Sequence, residues 1–260
     1  MAFASSACRR CGRSCLYLHY DMNLKRIILT CSLALCALLA NAQSYSEIGA
    51  PYPLKANGDR QVVSGFIQFN SSNDETIFAN ALLWVIENIC PQLQEGITEI
   101  GIPTKKFTCQ LALQPSAEGK PSATYYANAT FRVADRKLIY YLSDITVESS
   151  SLIIKKLTPI EKLMPEKKAS HKQMVEEFVQ LESSVLNRMF DFVGTNRPTA
   201  ITHWKDIGIR RAVKGMTEDE CRLAFGKPQS IMDTNGEVQW MYTSSFYLFF
   251  KNGVVDTIIK

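Results

Sequence analysis

The chain has 260 residues, 46% of them hydrophobic, with 29 basic against 25 acidic side chains and a formal charge of +4. That length suits two small domains with modest cores. Five of the basic residues and one of the acidic ones lie within residues 1–42, so the remainder carries 24 of each, and a balanced chain without a basic run has no electrostatic footprint for nucleic acid or an anionic membrane surface.

Residues 22–42, MNLKRIILTCSLALCALLANA, read as a secretory signal peptide. Lys25 and Arg26 form its basic start, residues 27–39 its apolar stretch, and Ala40-Asn41-Ala42 the A-x-A cleavage pattern. The 13 residues of the apolar stretch fall short of the ~20 that a membrane-spanning helix needs. Cleavage after Ala42 leaves 218 residues with no transmembrane span expected, and Met22 reads as the initiator, with residues 1–21 a misassigned upstream start. Five of the eight cysteines belong to this discarded part, including the CRRCGRSC cluster. That cluster resembles half a zinc site, and no second cluster follows to complete four ligands. Cys31 follows Thr30 and Cys36 follows Leu35, neither of which suits cleavage before a lipid-modified cysteine. Cys90, Cys109 and Cys221 remain, and both one bridged pair plus a thiol and three buried thiols fit an exported chain.

Residues 43–60 carry Gly49, Pro51, Pro53 and Gly58 and read as an extended lead-in. Residues 62–69 have the β-branched and aromatic content of a strand. Ser72 and Glu75 form a capping-box pattern, after which Phe78, Ala81, Leu82, Val85 and Ile89 recur at helical spacing, Trp84 borders the stripe and Pro91 stops it. Two short strands are expected over residues 97–113, parted by residues 103–106, and a Pro/Ser/Gly-rich loop over 114–122. Next comes the clearest hairpin in the chain. Tyr125, Ala127, Ala129, Phe131 and Val133 alternate with Tyr126, Asn128, Thr130 and Arg132, residues 134–137 turn the chain, and residues 138–147 return with Tyr140 and Tyr141 on opposite faces.

A long helix is expected after Ser170 as N-cap. Met174, Phe178, Leu181, Val185 and Phe192 form its stripe, widened by Val175, Val179, Leu186, Met189, Phe190 and Val193, and GTNRP at 194–198 is the domain boundary. In the carboxy-terminal part Thr217 and Glu220 form a second capping box, with Glu218 and Asp219 favoured by the helix dipole and Gly226 and Pro228 ending the helix. Asn235-Gly236 and Asn252-Gly253 are tight-turn dipeptides around strands at 238–243, 246–251 and 254–259. The expected fold class is α+β, with one domain over residues 43–195 and a smaller one over 196–260.

The run GMTEDECRLAFGKP from Gly215 to Pro228, then Trp240-Met-Tyr242, Leu248-x-Phe250 and Asn252-Gly253-Val254, resembles the outer-membrane assembly lipoprotein family of the SmpA/OmlA (BamE-like) type. The resemblance implies helices packed on a three-stranded meander. Strand 62–69, the helix with Trp84, the YYANATFRVADRKLIYYLSDI hairpin and the closing helix to Val193 are similar to exported bacterial proteins of unknown function with a TBP-like fold. That resemblance implies a curved antiparallel sheet with helices on one face and no DNA binding.

Chemistry finds little material. Outside residues 1–42 there are two histidines, His171 and His203, and a nucleophile needs a positioned base. No metalloprotease, serine-hydrolase, Walker or dinucleotide-binding pattern occurs. No catalytic residue, cofactor or metal is therefore expected. The reading is a non-catalytic binding or scaffold protein of the bacterial envelope, periplasmic or at the cell surface. Its partner would be an envelope protein or peptide, or a second copy. The binding surface would include Tyr126, Arg132, Tyr140, Tyr141, His203 and Trp204. The alternative is an envelope hydrolase or inhibitor-like protein centred on His203, Trp204 and Asp206.

Overall fold

The computed structural model describes residues 52–90, 93–115, 123–149, 157–164, 168–195, 200–234 and 237–260. The segment expected to be a signal peptide (residues 22–42), residues 1–21 with the CRRCGRSC cluster, residues 116–122 of the expected loop, the expected Asn235-Gly236 turn and residues 196–198 of the boundary segment lie outside them. Among the described residues no helix is long and apolar enough to cross a membrane.

Two antiparallel sheets and a set of helices give the molecule its α+β class. The first sheet is built from β1 (Lys55–Asn57), β2 (Arg60–Gln68), β3 (Ile97–Gly101), β4 (Lys106–Leu113), β5 (Ala123–Ala134), β6 (Lys137–Ser149) and β7 (Leu157–Pro159). Its order is β1-β2-β6-β5-β4-β3, with β7 paired to the far end of β6. The β5–β6 hairpin is its spine, and strict alternation in β5 puts Tyr125, Ala127, Ala129, Phe131 and Val133 on the buried face. Asp135 and Arg136 make the turn, both with positive φ, the backbone that matches the twist of paired strands in a two-residue connection.

The buried face is covered by α1 (Asp74–Asn88) and α3 (Ala169–Thr195), with the single turn α2 (Leu93–Gly96) between α1 and β3 and a 3-10 turn at Ile160–Leu163. Residues 77–86 of α1 are all buried. The sequence suggests a one-sided stripe, but protein surrounds this segment, and all of its residues except Asn80 are apolar. Its cap also differs from expectation. Asn73, not Ser72, is the N-cap, and its side chain accepts from the Thr76 amide at 2.8 Å. Likewise Ser170 lies inside α3 and does not cap it.

Aromatic rings join the layers. Phe78 of α1 meets Phe107, which stacks on Phe131 at 5.1 Å, while Phe178 and Phe190 of α3 meet Tyr125 and Tyr140. Gly65 of β2 makes room for Tyr140 across the strand pair, since a Cβ there would collide with the phenol oxygen.

The second sheet follows α4 (Trp204–Gly208) and α5 (Glu218–Phe225) and runs β11-β10-β9-β8. Its strands are β8 (Ser230–Thr234), β9 (Glu237–Thr243), β10 (Phe246–Lys251) and β11 (Val254–Ile259). The meander thus has four strands, one more than the sequence suggests. All five residues of β8 are exposed, so no buried face marks it. Trp240, Leu248 and Phe250 form the core beneath α5. Arg222 lies over the Trp240 ring at 4.5 Å and pairs with Glu87 of α1 at 3.0 Å, and Trp204 packs on Phe78.

Candidate functional site

Alternation that buries one face of the first sheet leaves the other face to water. Cross-strand register aligns Phe66, Ile139, Arg132 and Lys106 in one row of that face, and Ser64, Tyr141, Thr130, Thr108 and Glu99 in the next. Phe66 is 53% exposed, Ile139 38% and Tyr141 37%. Adjacent exposed apolar side chains of this size are an unusual surface for water to face. Lys137 covers part of the Phe66 ring at 4.9 Å, and Asn57 donates to the Tyr141 hydroxyl at 3.0 Å.

Beside this patch the sheet dips. Residues 144 and 145 of β6 stand opposite the single Ala127 of β5, and Asp144 has a φ of 52°. A bulge of this kind re-aims the side chain at its left-handed position. The Asp144 carboxylate turns outward, where Arg60 pairs with it at 2.9 Å and Asn128 donates to it at 3.2 Å. Around it lies a shallow depression of about 560 Å³ lined by Gln110, Tyr126, Asn128, Asp144, Thr146, Glu148 and Leu157. Tyr126 donates to Glu148 at 2.9 Å, and that hydrogen bond holds the phenol above its ordinary pKa. The side chains of Gln110 and Thr146 bring amide and hydroxyl groups beside apolar side chains, a setting that can take a polar chain with occasional apolar residues, while the two carboxylates of the depression are already held by Arg60, Asn128 and Tyr126. Of the lining residues, sequence reasoning singles out Tyr126 and misses the rest. A signal is nevertheless present, because the buried series Leu138, Tyr140, Leu142 resumes one place late at Ile145 and Val147.

Of the residues expected to form one surface, Tyr126, Arg132 and Tyr141 do share this outer face. Tyr140 does not. It is 4% exposed on the helix side, against Phe190 and Tyr52, because neighbouring residues of a strand point to opposite faces. Arg132 borders a separate depression with Asp74, Lys105 and Asp135.

His203 and Trp204 sit elsewhere. The sequence suggests no partner for His203, yet its Nδ1 lies 2.9 Å from Glu220 Oε2. The same carboxylate accepts from the amides of Thr217, Thr202 and His203 and from the Thr202 hydroxyl. Burial alone would raise the Glu220 pKa, but these donors outweigh it and hold the group below the usual carboxylate value. Trp204 is largely a packing residue, its ring 5.8 Å from that of Phe78 and its Nε1 buried with no hydrogen-bond partner among the described residues. Asp206 is occupied by Arg211, whose Nε donates to it at 2.7 Å. Cys221 is buried, and burial raises its thiol well above the ordinary value. Among the described residues no group of three or more His, Cys, Asp or Glu side chains could hold a metal ion.

Fold and surface together define an α+β protein with an open-faced antiparallel sheet. No family model and no curated protein matches the chain. Among solved structures it is similar to a TBP-like protein from Parabacteroides distasonis, with 9% identity, 57% of this chain and 100% of that chain covered, and a TM-score of 0.48. It is also similar to a DUF4468 family protein from Bacteroides ovatus, with 10% identity, 57% of this chain and 94% of that chain covered, and a TM-score of 0.42.

Proposed function

We propose that the chain is a non-catalytic binding or scaffold protein of the bacterial envelope, periplasmic or at the cell surface, and that the open face of its first sheet is where an envelope protein or peptide docks. One observation carries this reading: Phe66, Ile139 and Tyr141 are exposed side by side next to the Asp144 depression. An extended segment crossing the rows would cover the apolar side chains and find hydrogen-bond partners in the depression. The signal-peptide pattern of residues 22–42 supports export. The resemblance of residues 215–254 to the SmpA/OmlA family, whose members act in the envelope, agrees with it.

The test is affinity capture from envelope extracts with the wild type and with a Phe66→Ser/Tyr141→Ser double variant. The reading expects a partner that the variant loses while it still unfolds cooperatively, with a thermal midpoint lowered only by the lost contacts to Lys137 and Asn57. Equal capture by the two proteins would remove the sheet face from the reading.

The hydrolase alternative has one observation in its favour, the His203–Glu220 pair. A carboxylate on Nδ1 fixes the imidazole tautomer and presents Nε2 as a base. Against it, Glu220 already serves three amides, and His203 lines none of the depressions around Asp144, Arg132 or Phe225. Hydrolysis of an ester or amide substrate that disappears in His203→Ala would establish this alternative in place of the binding reading.

A further inference from the structure

Three cysteines remain outside residues 1–42, and the fold separates them into two and one. Cys221 faces the core of the second sheet from α5. Cys90 follows the end of α1, its amide bonded to the Val85 carbonyl at 2.8 Å. Cys109 lies in the middle of β4, paired across the strands with Ile97 and Ala129.

Two contacts and one strand pairing place the Cys90 sulfur beside β4 at Cys109. The Cys90 sulfur lies over Gly96, where a Cβ would collide with it. Gly96 precedes Ile97, the strand partner of Cys109. The same sulfur is 3.8 Å from the carbonyl of Gln110, the residue after Cys109. In the structure both are thiols, and each perturbs the other, with Cys90 held below and Cys109 well above the ordinary thiol pKa. Both are buried, so neither is placed to serve as a surface nucleophile.

We infer that Cys90 and Cys109 form a disulfide that ties the end of α1 to the centre of β4, and that Cys221 stays a thiol. The oxidant is a small or protein disulfide of the exporting compartment. A Cys90 thiolate attacks one sulfur of that donor and releases the first donor thiol. Cys109 then attacks the Cys90 sulfur of the mixed disulfide, which releases the second donor thiol. One donor S–S bond is lost and one protein S–S bond gained, with two protein thiols oxidised and two donor thiols formed. The order of the two attacks can be reversed without changing the product. Exchange takes place as the chain folds, before both sulfurs are enclosed.

The inference takes its oxidant from the export reading, and the test separates the two. The full chain is refolded in a glutathione redox buffer, alkylated under denaturing conditions without reductant, digested and mapped by mass. The expected result is a Cys90 peptide joined to a Cys109 peptide, lighter than the two separate thiol peptides by two hydrogens, with Cys221 alkylated. Alkylation of both Cys90 and Cys109, or a link from either to another cysteine, would overturn the pairing. The same mapping on protein isolated directly from the producing cells addresses compartment. A link that forms with glutathione but is missing from that sample upholds the pairing and counts against export.

Discussion

Glu182 is the residue whose chemistry fits its position least well. It lies on the buried side of α3 among Phe178, Val185, Leu186 and Met189. Its Oε1 accepts from Ser183 at 3.1 Å, and its Oε2 is buried with no partner among the described residues. Burial pushes its pKa up to about 8, with the Ser183 hydrogen bond opposing. The folded protein therefore keeps a proton that the unfolded chain releases near pH 4.5. Stability falls as pH rises from that value to about 8, where the folded group also ionises, and is flat beyond. Glu182→Gln should remove this loss, making the variant more stable than wild type by roughly 3 to 5 kcal/mol at about pH 8 and similar to it near about pH 4. Urea unfolding of both proteins across that range checks it, and parallel curves would refute it.

Glu220 has the opposite sign. Its pKa is held down in the fold, so its contribution is present above the unfolded carboxylate value and is lost as pH falls through the folded one. Glu220→Ala leaves the amides of Thr217, Thr202 and His203 without their acceptor and should cost about 3 kcal/mol. The deficit, measured by denaturant unfolding, should shrink as pH is lowered through the acid range.

Elements show which parts of the sequence speak clearly. The β5–β6 hairpin and the Thr217 capping box are legible because each rests on local chemistry: alternation in the first, a side chain matched to an amide in the second. α1 and α3 are legible as helices, but their caps are not, since several polar residues near each start compete for the role. β8 escapes because pairing with β9 alone defines it. Within the candidate site, Tyr126, Arg132 and Tyr141 can be placed by parity, and Tyr140 needs only the same rule applied strictly. The His203–Glu220 contact joins residues from separate segments and has no local signature.

The hairpin turn offers a direct test at this scale. Arg136 holds a φ of 59°, a conformation that costs an L residue about 1 to 2 kcal/mol and glycine almost nothing. Its backbone contacts, the amide to Asp74 at 2.7 Å and the carbonyl to the Phe69 amide at 2.8 Å, do not involve its side chain. Arg136→Gly should raise stability by about 0.5 to 1 kcal/mol after the added chain entropy is counted. A fall in the thermal midpoint would show that the guanidinium does more than solvate the turn.

At the scale of the whole molecule, Arg222 links what the two sheets bury. It pairs with Glu87 of α1 at 3.0 Å, approaches Glu218 and Asp219 at 3.6 Å and 3.5 Å, and covers the Trp240 ring. Arg222→Ala should cost about 1 to 2 kcal/mol, more than a solvent-exposed ion pair, because ring coverage is lost along with charge. Denaturant unfolding followed by tryptophan fluorescence would register it, and a cost near zero would show that α5 holds to Trp240 through its apolar contacts alone.

The enclosure of α1 reaches furthest. With residues 77–86 all buried, water can touch the amides of that segment only when large parts of the surrounding protein come apart together. In deuterated solvent its central hydrogens should be among the last to be replaced, at a rate set by global opening, while the exposed strand β8 takes up label early.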